Sequence, residues 1–238
     1  MSKRIMKAVT FSYDDAVTQD QRLIEIFNKY GLKCTFNINS GLLGTGGSLV
    51  RQDVTVAWAH PRACELQKIY NGHEVAAHTI THPCLTRLSD KDVIREIEQD
   101  RLALSNIMGY EVVGMAYPGA GGPSYDDRVV DLIKNSTGIK YARTTKNTHS
   151  FELQSDLLRF KPTAYHHKEF DTCFDLAKKF IESTPETPQI FYIWGHAYEF
   201  DILNEWAKME ELCKLLSCRD DIFYGTNKDV LLSDEWYK

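Results

Sequence analysis

The alternation of strand-like and helix-like segments along the whole chain is the feature that most constrains its fold. Residues 7–13 read KAVTFSY, a β-branched and aromatic run typical of a strand. Apolar residues at helical spacing follow between Leu23 and Phe27, and residues 32–39 form a second strand-like run. A strand, a helix and a strand within about thirty residues predict a βαβ unit with parallel strands.

The same alternation continues to the end of the chain. Further strands are expected at 73–77, 112–117, 139–143, 189–194 and 222–224. Helices are expected at about 61–70, from 89 to 108, from 124 through 133, and at about 172–181 and 203–216. Residues 41–48 contain four glycines but lack the Gly-Lys-Ser/Thr ending of a phosphate loop, so they predict a flexible loop, and 144–168 is polar and irregular.

Four short signals predict where helices begin and end. Thr18 with Gln21, and Ser89 with Asp92, resemble capping boxes at helix starts. Ser124 is a further candidate N-cap, and Gly31 is a candidate helix stop.

A parallel sheet covered by helices follows from this pattern, and roughly seven strands permit closure into a barrel. We find no linker and no repeat, so one domain spanning 1–238 is expected. In such barrels the chemistry lies at the carboxyl ends of the strands. The polar residues that collect at these ends are Asp14, Asp15, His78, His82, Arg143 and His196.

Composition excludes several kinds of partner. The chain is 43% hydrophobic and 26% charged, with a net charge of −5 and no basic tract, so nucleic acid and anionic membranes are not expected as partners. No apolar run reaches the roughly 20 residues of a membrane span. The basic N-terminus lacks the apolar core of a signal peptide, which predicts a cytoplasmic protein. The six cysteines form no Cys-x-x-Cys pair and are expected to be free thiols.

An aspartate with two histidines is a ligand set suited to zinc or a similar divalent ion, with positions left for water and substrate. His78 and His82 are four residues apart, and Pro83 places them on a loop or single turn rather than in a long helix. A second carboxylate could take a proton from water, and a histidine opposite could protonate the leaving group. Each residue also has an ordinary alternative, because two aspartates can form a solvated turn and a histidine at a strand end can simply be hydrogen-bonded.

Four segments carry a resemblance to the polysaccharide deacetylases, a carbohydrate esterase family. Residues 10–16, TFSYDDA, resemble the Thr-Phe-Asp-Asp-Gly signature of that family. Residues 78–83, HTITHP, are similar to its His-Ser/Thr-x-x-His-Pro signature. Residues 116–119, AYPG, and 193–196, IWGH, resemble the third and last signatures. The four segments occur in the family's order.

The resemblance implies a distorted (β/α)7-type barrel that hydrolyses an N-acetyl group on a sugar with the help of a divalent metal, Zn²⁺ by expectation, with Co²⁺, Ni²⁺ or Mn²⁺ as alternatives. Carried over by position, the matches are Asp14 as base, Asp15, His78 and His82 as metal ligands, and His196 as acid. Tyr117, Pro118 and Gly119 would contact substrate, with the backbone N–H near Gly119 helping to hold the oxyanion.

The chain also departs from the family pattern. The arginine that usually opens the third signature is Ala116, and Arg143 at a neighbouring strand end is either its replacement or an ordinary surface residue. The Asp-x-x-Asp-Trp signature is not visible, so the carboxylate partner of His196 is unidentified. Ala16 replaces the glycine of the first signature, and Gly119 replaces the aromatic residue that usually follows the proline.

A small or cytoplasmic N-acylated sugar, such as a nucleotide-linked or lipid-linked precursor, is the expected substrate. The aromatic residues that either stack on a sugar ring or pack in the core are Trp58, Tyr117, Trp194 and Tyr198. Segment 41–58 is expected to roof the site.

Two alternatives remain: hydrolysis of a non-sugar linear or cyclic amide or imide, and an inactive carbohydrate-binding barrel, which would have no need of all five site residues. The sequence does not specify the oligomeric state.

Overall fold

The computed structural model describes residues 5–119, 121–167 and 169–238. Its main sheet is parallel and follows the order β7-β6-β5-β2-β1-β9-β8, and β10 pairs with the first residues of β1. The strands of this sheet are β1 (Lys7–Asp14), β2 (Cys34–Ile38), β5 (Glu74–Ala77), β6 (Gly114–Ala116), β7 (Tyr141–Arg143), β8 (Ala164–Tyr165), β9 (Gln189–His196) and β10 (Ile222–Tyr224).

The sheet curls until its two ends meet. Phe160 forms a parallel bridge with Arg143 at the end of β7, and its N–H donates to Ala142 O at 3.0 Å. The same segment continues into β8, which pairs with β9. Seven strand positions therefore surround the barrel axis, and the expected distorted (β/α)7 barrel is confirmed.

Helices cover the outside of the barrel. They are α1 (Asp20–Lys29), α2 (Leu66–Ile69), α3 (Asp90–Ile94), α4 (Asp100–Met108), α5 (Asp127–Ser136), α6 (Phe170–Glu182), α7 (Glu199–Leu203), α8 (Trp206–Leu216) and α9 (Asn227–Leu231). A π-helical segment, Arg95–Gln99, joins α3 to α4. The helix expected at 203–216 is two helices, because Asn204 adopts a left-handed conformation with φ of 53° between them.

Strand β1 pairs with β2, β9 and β10 and is buried along its whole length. Its side chains alternate between two faces, as a strand requires. Val9, Phe11 and Tyr13 pack in the main core against the helices. Asp14 lies on the opposite face, the same face as Ala8, which packs against Tyr192 and other residues of a second cluster. This alternation carries the Asp14 carboxylate to the inner rim of the barrel.

The signals for helix ends succeed in two cases and fail in two. Ser89 caps α3 by accepting a hydrogen bond from Asp92 N, and Gly31, with φ of 66°, follows α1. The predictions for Thr18 and Ser124 are wrong. Gln19 occupies the N-cap of α1 without a side-chain cap, and Asp126 caps α5 by accepting from Val129 N. The cap of α5 is therefore a carboxylate two residues beyond the predicted serine.

The glycine-rich loop leads into a hairpin that the sequence pattern did not indicate. Ser40–Leu42 forms a 3₁₀ turn, and β3 (Ser48–Arg51) pairs with β4 (Val54–Ala57) in an antiparallel hairpin. Its two turn residues, Gln52 and Asp53, have φ of 51° and 61°. The turn lacks the glycine that is typical of such hairpins, so the sequence pattern did not predict this one.

Other predictions need small changes. Residues 144–167 are mostly irregular, as expected, but include the short strand β8, and Lys168 lies outside the described residues. The helix expected at 61–70 is a 3₁₀ turn, Ala63–Glu65, followed by α2. All six cysteines are free. No helix among the described residues is long and apolar enough to cross a bilayer.

Candidate functional site

Strand register brings the predicted site residues together. Asp14, the last residue of β1, pairs with His196 on β9 and with Asn37 on β2. On the other side of the barrel, Ala116 at the end of β6 pairs with Arg143 at the end of β7. Since parallel strands end at the same rim, side chains from distant parts of the sequence converge there.

Asp15, His78 and His82 form a compact candidate metal centre. One ligand atom from each residue lies within 4.8 Å of the other two. Asp15 Oδ1 is 3.7 Å from His78 Nε2 and 3.8 Å from His82 Nε2. These atoms are too far apart for direct hydrogen bonds and surround a common point, which is the spacing that a shared cation requires.

The bonding of His78 fits a metal ligand. Its Nδ1 lies 2.8 Å from Ala116 O, so that nitrogen carries the proton and donates it to the carbonyl. Its Nε2 is buried and has no hydrogen-bond partner in the described part of the chain. Burial lowers the pKa of His78 to about 4, which keeps the ring neutral. A neutral imidazole with one nitrogen fixed by a carbonyl and the other free is the form that binds a divalent ion.

The loop that carries both histidines is tightly held. Asn39 donates its amide to the carbonyls of His78 and Thr79, at 2.6 and 2.9 Å. Asp100 accepts the backbone N–H of His78 at 2.9 Å, and it is placed there by the π-helical segment that precedes it. Thr79 and His82 have φ of 70° and 58°, a strained backbone that these contacts stabilise.

Asp14 lies beside this centre, but its carboxylate is bound by other groups. Arg143 Nη2 donates to Oδ2, and Asn37 Nδ2 donates to Oδ1 at 2.7 Å. Burial alone would raise the pKa of Asp14, yet the positive charge of Arg143 outweighs it and holds that pKa below its ordinary value. Asp14 is therefore an ionised, oriented carboxylate.

Arg143 is wholly inside the protein rather than on the surface. It is 0% exposed, and its guanidinium stacks 4.2 Å from the centre of the Trp194 ring. It also donates to Thr144 O at 3.1 Å. Arg143 lies opposite Ala116 on the next strand. Ala116 is the position where the family signature has its arginine, so the Arg143 guanidinium reaches Asp14 from the adjacent position.

His196 is paired with a carboxylate that the sequence analysis did not identify. Its Nδ1 lies 3.1 Å from Glu199 Oε1, and its backbone N–H donates to Glu199 Oε2 at 2.9 Å. Burial opposes the charged imidazole, but the Glu199 carboxylate outweighs it and raises the pKa of His196 to about 10. His196 is thus a charged imidazolium at neutral pH.

Glu199 is the first residue of α7 and is held from several sides. Tyr165 donates its hydroxyl to Oε1, and His166 Nε2 lies 3.4 Å from Oε2. Burial would raise the pKa of Glu199, but the charge of His196 lowers it to about 2. The spacing His-x-x-Glu at the end of a strand was the one signal in the sequence that could have indicated this pair, since residues three apart meet in a turn.

A cavity of about 570 Å³ opens above these groups. Its lining residues are Asp14, Asp15, Leu42, Leu49, Arg51, Trp58, Thr81, His82, Gly119, Thr145, Trp194, His196 and Tyr198. Residues of the 41–58 segment thus form one wall of the cavity. Two expected substrate contacts do not line it. Tyr117 is fully buried, donates to Leu158 O at 2.9 Å and stacks on Tyr125, and Pro118 is buried beside it.

The fold is a distorted (β/α)7 barrel. A candidate Asp-His-His metal centre, a buried carboxylate and an imidazolium lie at the carboxyl ends of its strands. Fold and site together define the class of the protein. The family model for polysaccharide deacetylases matches residues 2–142. The chain belongs to the polysaccharide deacetylase family, a family of hydrolases.

Solved structures with the same fold are distant in sequence. A Streptococcus pyogenes deacetylase, PplD, in complex with acetate is 21% identical, with a TM-score of 0.52, and the match covers 63% of this chain and 61% of that one. A family 4 carbohydrate esterase from Streptomyces lividans in complex with acetate is 14% identical, with a TM-score of 0.55 and coverage of 94% and 93%. PuuE allantoinase is 9% identical, with a TM-score of 0.70 and coverage of 98% and 91%. No curated protein matches the sequence.

Proposed function

We propose that this protein is a metal-dependent hydrolase that removes an N-acetyl or similar acyl group from a small sugar derivative. Membership of the polysaccharide deacetylase family supports the reaction class. The single observation that carries the proposal is the separation of roles at one rim. Asp15 and His82 of the candidate metal centre, an ionised Asp14 and a charged His196 all line one cavity.

Asp15, His78 and His82 would hold the divalent ion. When bound, such an ion polarises the amide carbonyl and makes a water molecule more acidic. The donor set of one carboxylate and two imidazoles suits Zn²⁺, and Co²⁺, Ni²⁺ or Mn²⁺ could also be bound.

Asp14 would act as the base. Its carboxylate is ionised, is fixed by Arg143 and Asn37, and lies on the cavity wall, so it can accept the proton of the attacking water. His78 Nε2 is 3.8 Å from Asp14 Oδ2, which places the base next to the metal ligands without its being one of the three.

His196 would act as the acid. Glu199 fixes its Nδ1 and keeps the ring protonated, which leaves Nε2–H to protonate the leaving nitrogen as the C–N bond breaks. Glu199 and Arg143 would be positioning residues, each orienting one reacting group. Gly119 lies on the cavity wall, where its backbone N–H could help to hold the oxyanion.

The substrate is proposed to be small. A cavity of about 570 Å³ is within the range of sites for single small molecules, about 300–1,000 Å³. The hairpin residues Leu49 and Arg51 and the adjoining Trp58 wall it on one side. Trp58 and Tyr198 offer aromatic faces on which a sugar ring can stack. Trp194 is 5% exposed, and Arg143 and Tyr165 already stack on its ring.

The test is acetate release by Zn²⁺-loaded protein from N-acetylglucosamine derivatives, measured together with metal content. We expect Asp14→Asn to lose at least about 100-fold in kcat, the usual minimum for a general base, while its metal stoichiometry is unchanged. Asp131→Asn, an exposed carboxylate on α5, is the control. Full activity of Asp14→Asn would contradict the assignment of the base.

Turnover of cyclic ureides or formamides, without acetate release, would replace the sugar substrate with a non-sugar amide. Sugar binding without any turnover by the metal-loaded protein would identify an inactive carbohydrate-binding barrel.

A further inference from the structure

Arg51 is a cation without an acidic partner at the mouth of the cavity. It is the last residue of β3, and among the described residues that line the cavity it is the only lysine or arginine. Among the described residues its guanidinium donates one hydrogen bond, to Val50 O at 3.4 Å, and no carboxylate there forms an ion pair with it. By contrast, Arg62 and Arg159, also near the surface, both pair with carboxylates.

A smaller hollow of about 230 Å³ adjoins the main cavity at this point. Both spaces share Arg51, His196 and Tyr198 as lining residues. The positive charge of Arg51 reaches the hydroxyl of Tyr198, where it works against the rise in pKa that burial causes. The hollow is therefore a side branch of the site, next to the proposed acid.

The polar groups of this hollow favour an anion. Glu199 also lines it, but both of its oxygens are already engaged, by His196 and Tyr165. His167 lies on the same wall. Its buried Nδ1 has no hydrogen-bond partner among the described residues and lies 3.9 Å from Glu199 Oε1. Within the described residues the hollow thus offers one guanidinium without an ion pair, and its carboxylate is paired with His196.

We propose that the substrate carries an anionic oxygen group, a carboxylate or a phosphate, which Arg51 binds while the acyl group lies at the metal centre. This inference rests on the proposed function and narrows it from acylated sugars in general to acidic ones. A guanidinium matches the paired oxygens of both anions, and a charge-assisted pair of this kind is stronger than a neutral hydrogen bond.

The experiment compares three ligands: neutral N-acetylglucosamine, its 6-phosphate, and N-acetylmuramic acid, which carries a carboxylate. Wild-type protein, Arg51→Met and Arg51→Glu are each tested for acetate release and, separately, for binding by calorimetry. Lys178→Met is the matched control, because it removes one positive charge from the exposed part of α6, away from the cavity.

We expect wild-type protein to prefer at least one anionic ligand over the neutral one. The preference in kcat/KM and in Kd should fall about tenfold or more in Arg51→Met and further in Arg51→Glu, since the variants lose the charge-assisted hydrogen bonds of the guanidinium. Lys178→Met should keep it. The comparison of the phosphate with the carboxylate identifies the anion that the site recognises, because only the ligand of the right shape loses its preference in the Arg51 variants.

Equal treatment of all three ligands by wild-type protein would overturn the proposal, as would an equal loss for neutral and anionic ligands in Arg51→Met. The binding measurement separates this result from a failure of the proposed function. Arg51-dependent preference in binding without acetate release supports anion recognition and rejects deacetylation of these sugars. Acetate release without a preference for the anionic ligands supports deacetylation and rejects anion recognition.

Discussion

Arg143 at the end of β7 binds the carboxylate of Asp14 at the end of β1, and 129 residues separate the two along the chain. Both side chains are buried, so the pair is shielded from water and salt. Ala116, the strand neighbour of Arg143, occupies the place where the family signature has arginine. A guanidinium therefore reaches the Asp14 carboxylate from β7 instead of from β6.

The ion pair predicts the behaviour of Arg143→Met. The variant leaves the Asp14 charge buried without its partner, so we expect the free energy of unfolding to fall by about 3–5 kcal/mol. Acetate release should also fall at least about 100-fold, because the base loses its orientation. Denaturant unfolding and steady-state kinetics measure the two effects.

A double variant gives the control for this pair. In Asp14→Asn the buried charge is absent, so adding Arg143→Met should cost less stability than it costs in wild-type protein. Simple addition of the two single losses would mean that Arg143 and Asp14 do not interact in solution.

Glu199→Gln is predicted to change the pH dependence of the reaction. The Glu199 carboxylate raises the pKa of His196 to about 10, so the wild-type acid stays protonated well above neutral pH. Without that charge, only the smaller effects of Asp15 and Asp14 oppose burial, so the pKa of His196 falls. The alkaline limb of the kcat profile should therefore move to lower pH, while activity at acidic pH changes less.

The same pair contributes to stability with a defined sign. The folded-state pKa of His196 exceeds its unfolded value of about 6.5, so the contribution is complete below pH 6.5 and is lost as the pH rises toward 10. The difference in unfolding free energy between wild-type protein and Glu199→Gln should shrink over this interval. A difference that stays constant up to pH 10 would contradict the pairing.

His78→Ala is expected to lose metal binding. The ligand atom that it removes is the buried Nε2, which has no hydrogen-bond partner among the described residues. Zn²⁺ should raise the Tm of wild-type protein, because a ligand at 100 times its Kd stabilises the folded state by about 2.7 kcal/mol, and the variant should show little of this shift. His149→Ala removes a half-exposed histidine and should behave as wild type. An equal Zn²⁺ shift in His78→Ala would place the metal elsewhere.

Gly195→Ala tests the packing beneath the proposed acid. A Cβ at this position would lie 2.1 Å from the ring of His166, and that ring is fully buried against Phe200. We expect a loss of about 1–3 kcal/mol, the usual cost of overpacking. In Gly119→Ala, no described atom beyond the chain neighbours lies within 4 Å of the added methyl group, so the variant should be nearly neutral for stability.

A second comparison isolates the contact. In a His166→Ala background the ring is absent, so Gly195→Ala should cost much less than in wild-type protein. If the cost is unchanged, backbone conformation rather than the His166 ring explains the glycine at this position.

The sequence by itself determined most of the order of strands and helices, because periodicity and β-branched runs are local properties, but it did not indicate the β3–β4 hairpin, β8 or α9. It also identified Asp14, Asp15, His78, His82 and His196, since strand ends can be located along the chain and parallel strands place their ends at one rim. The long buried strands β1 and β9 were predicted to within two residues of their ends.

Only the tertiary structure decided which charges meet. The sequence left Arg143 as either surface residue or partner, and the barrel register carries it to Asp14. Glu199 carried a local signal, but only the turn after β9 shows its carboxylate meeting His196. Tyr117, expected at the substrate, points into the core because side chains alternate along a strand and its extension. Ion pairs between distant residues depend on distances in space, which local sequence patterns do not encode.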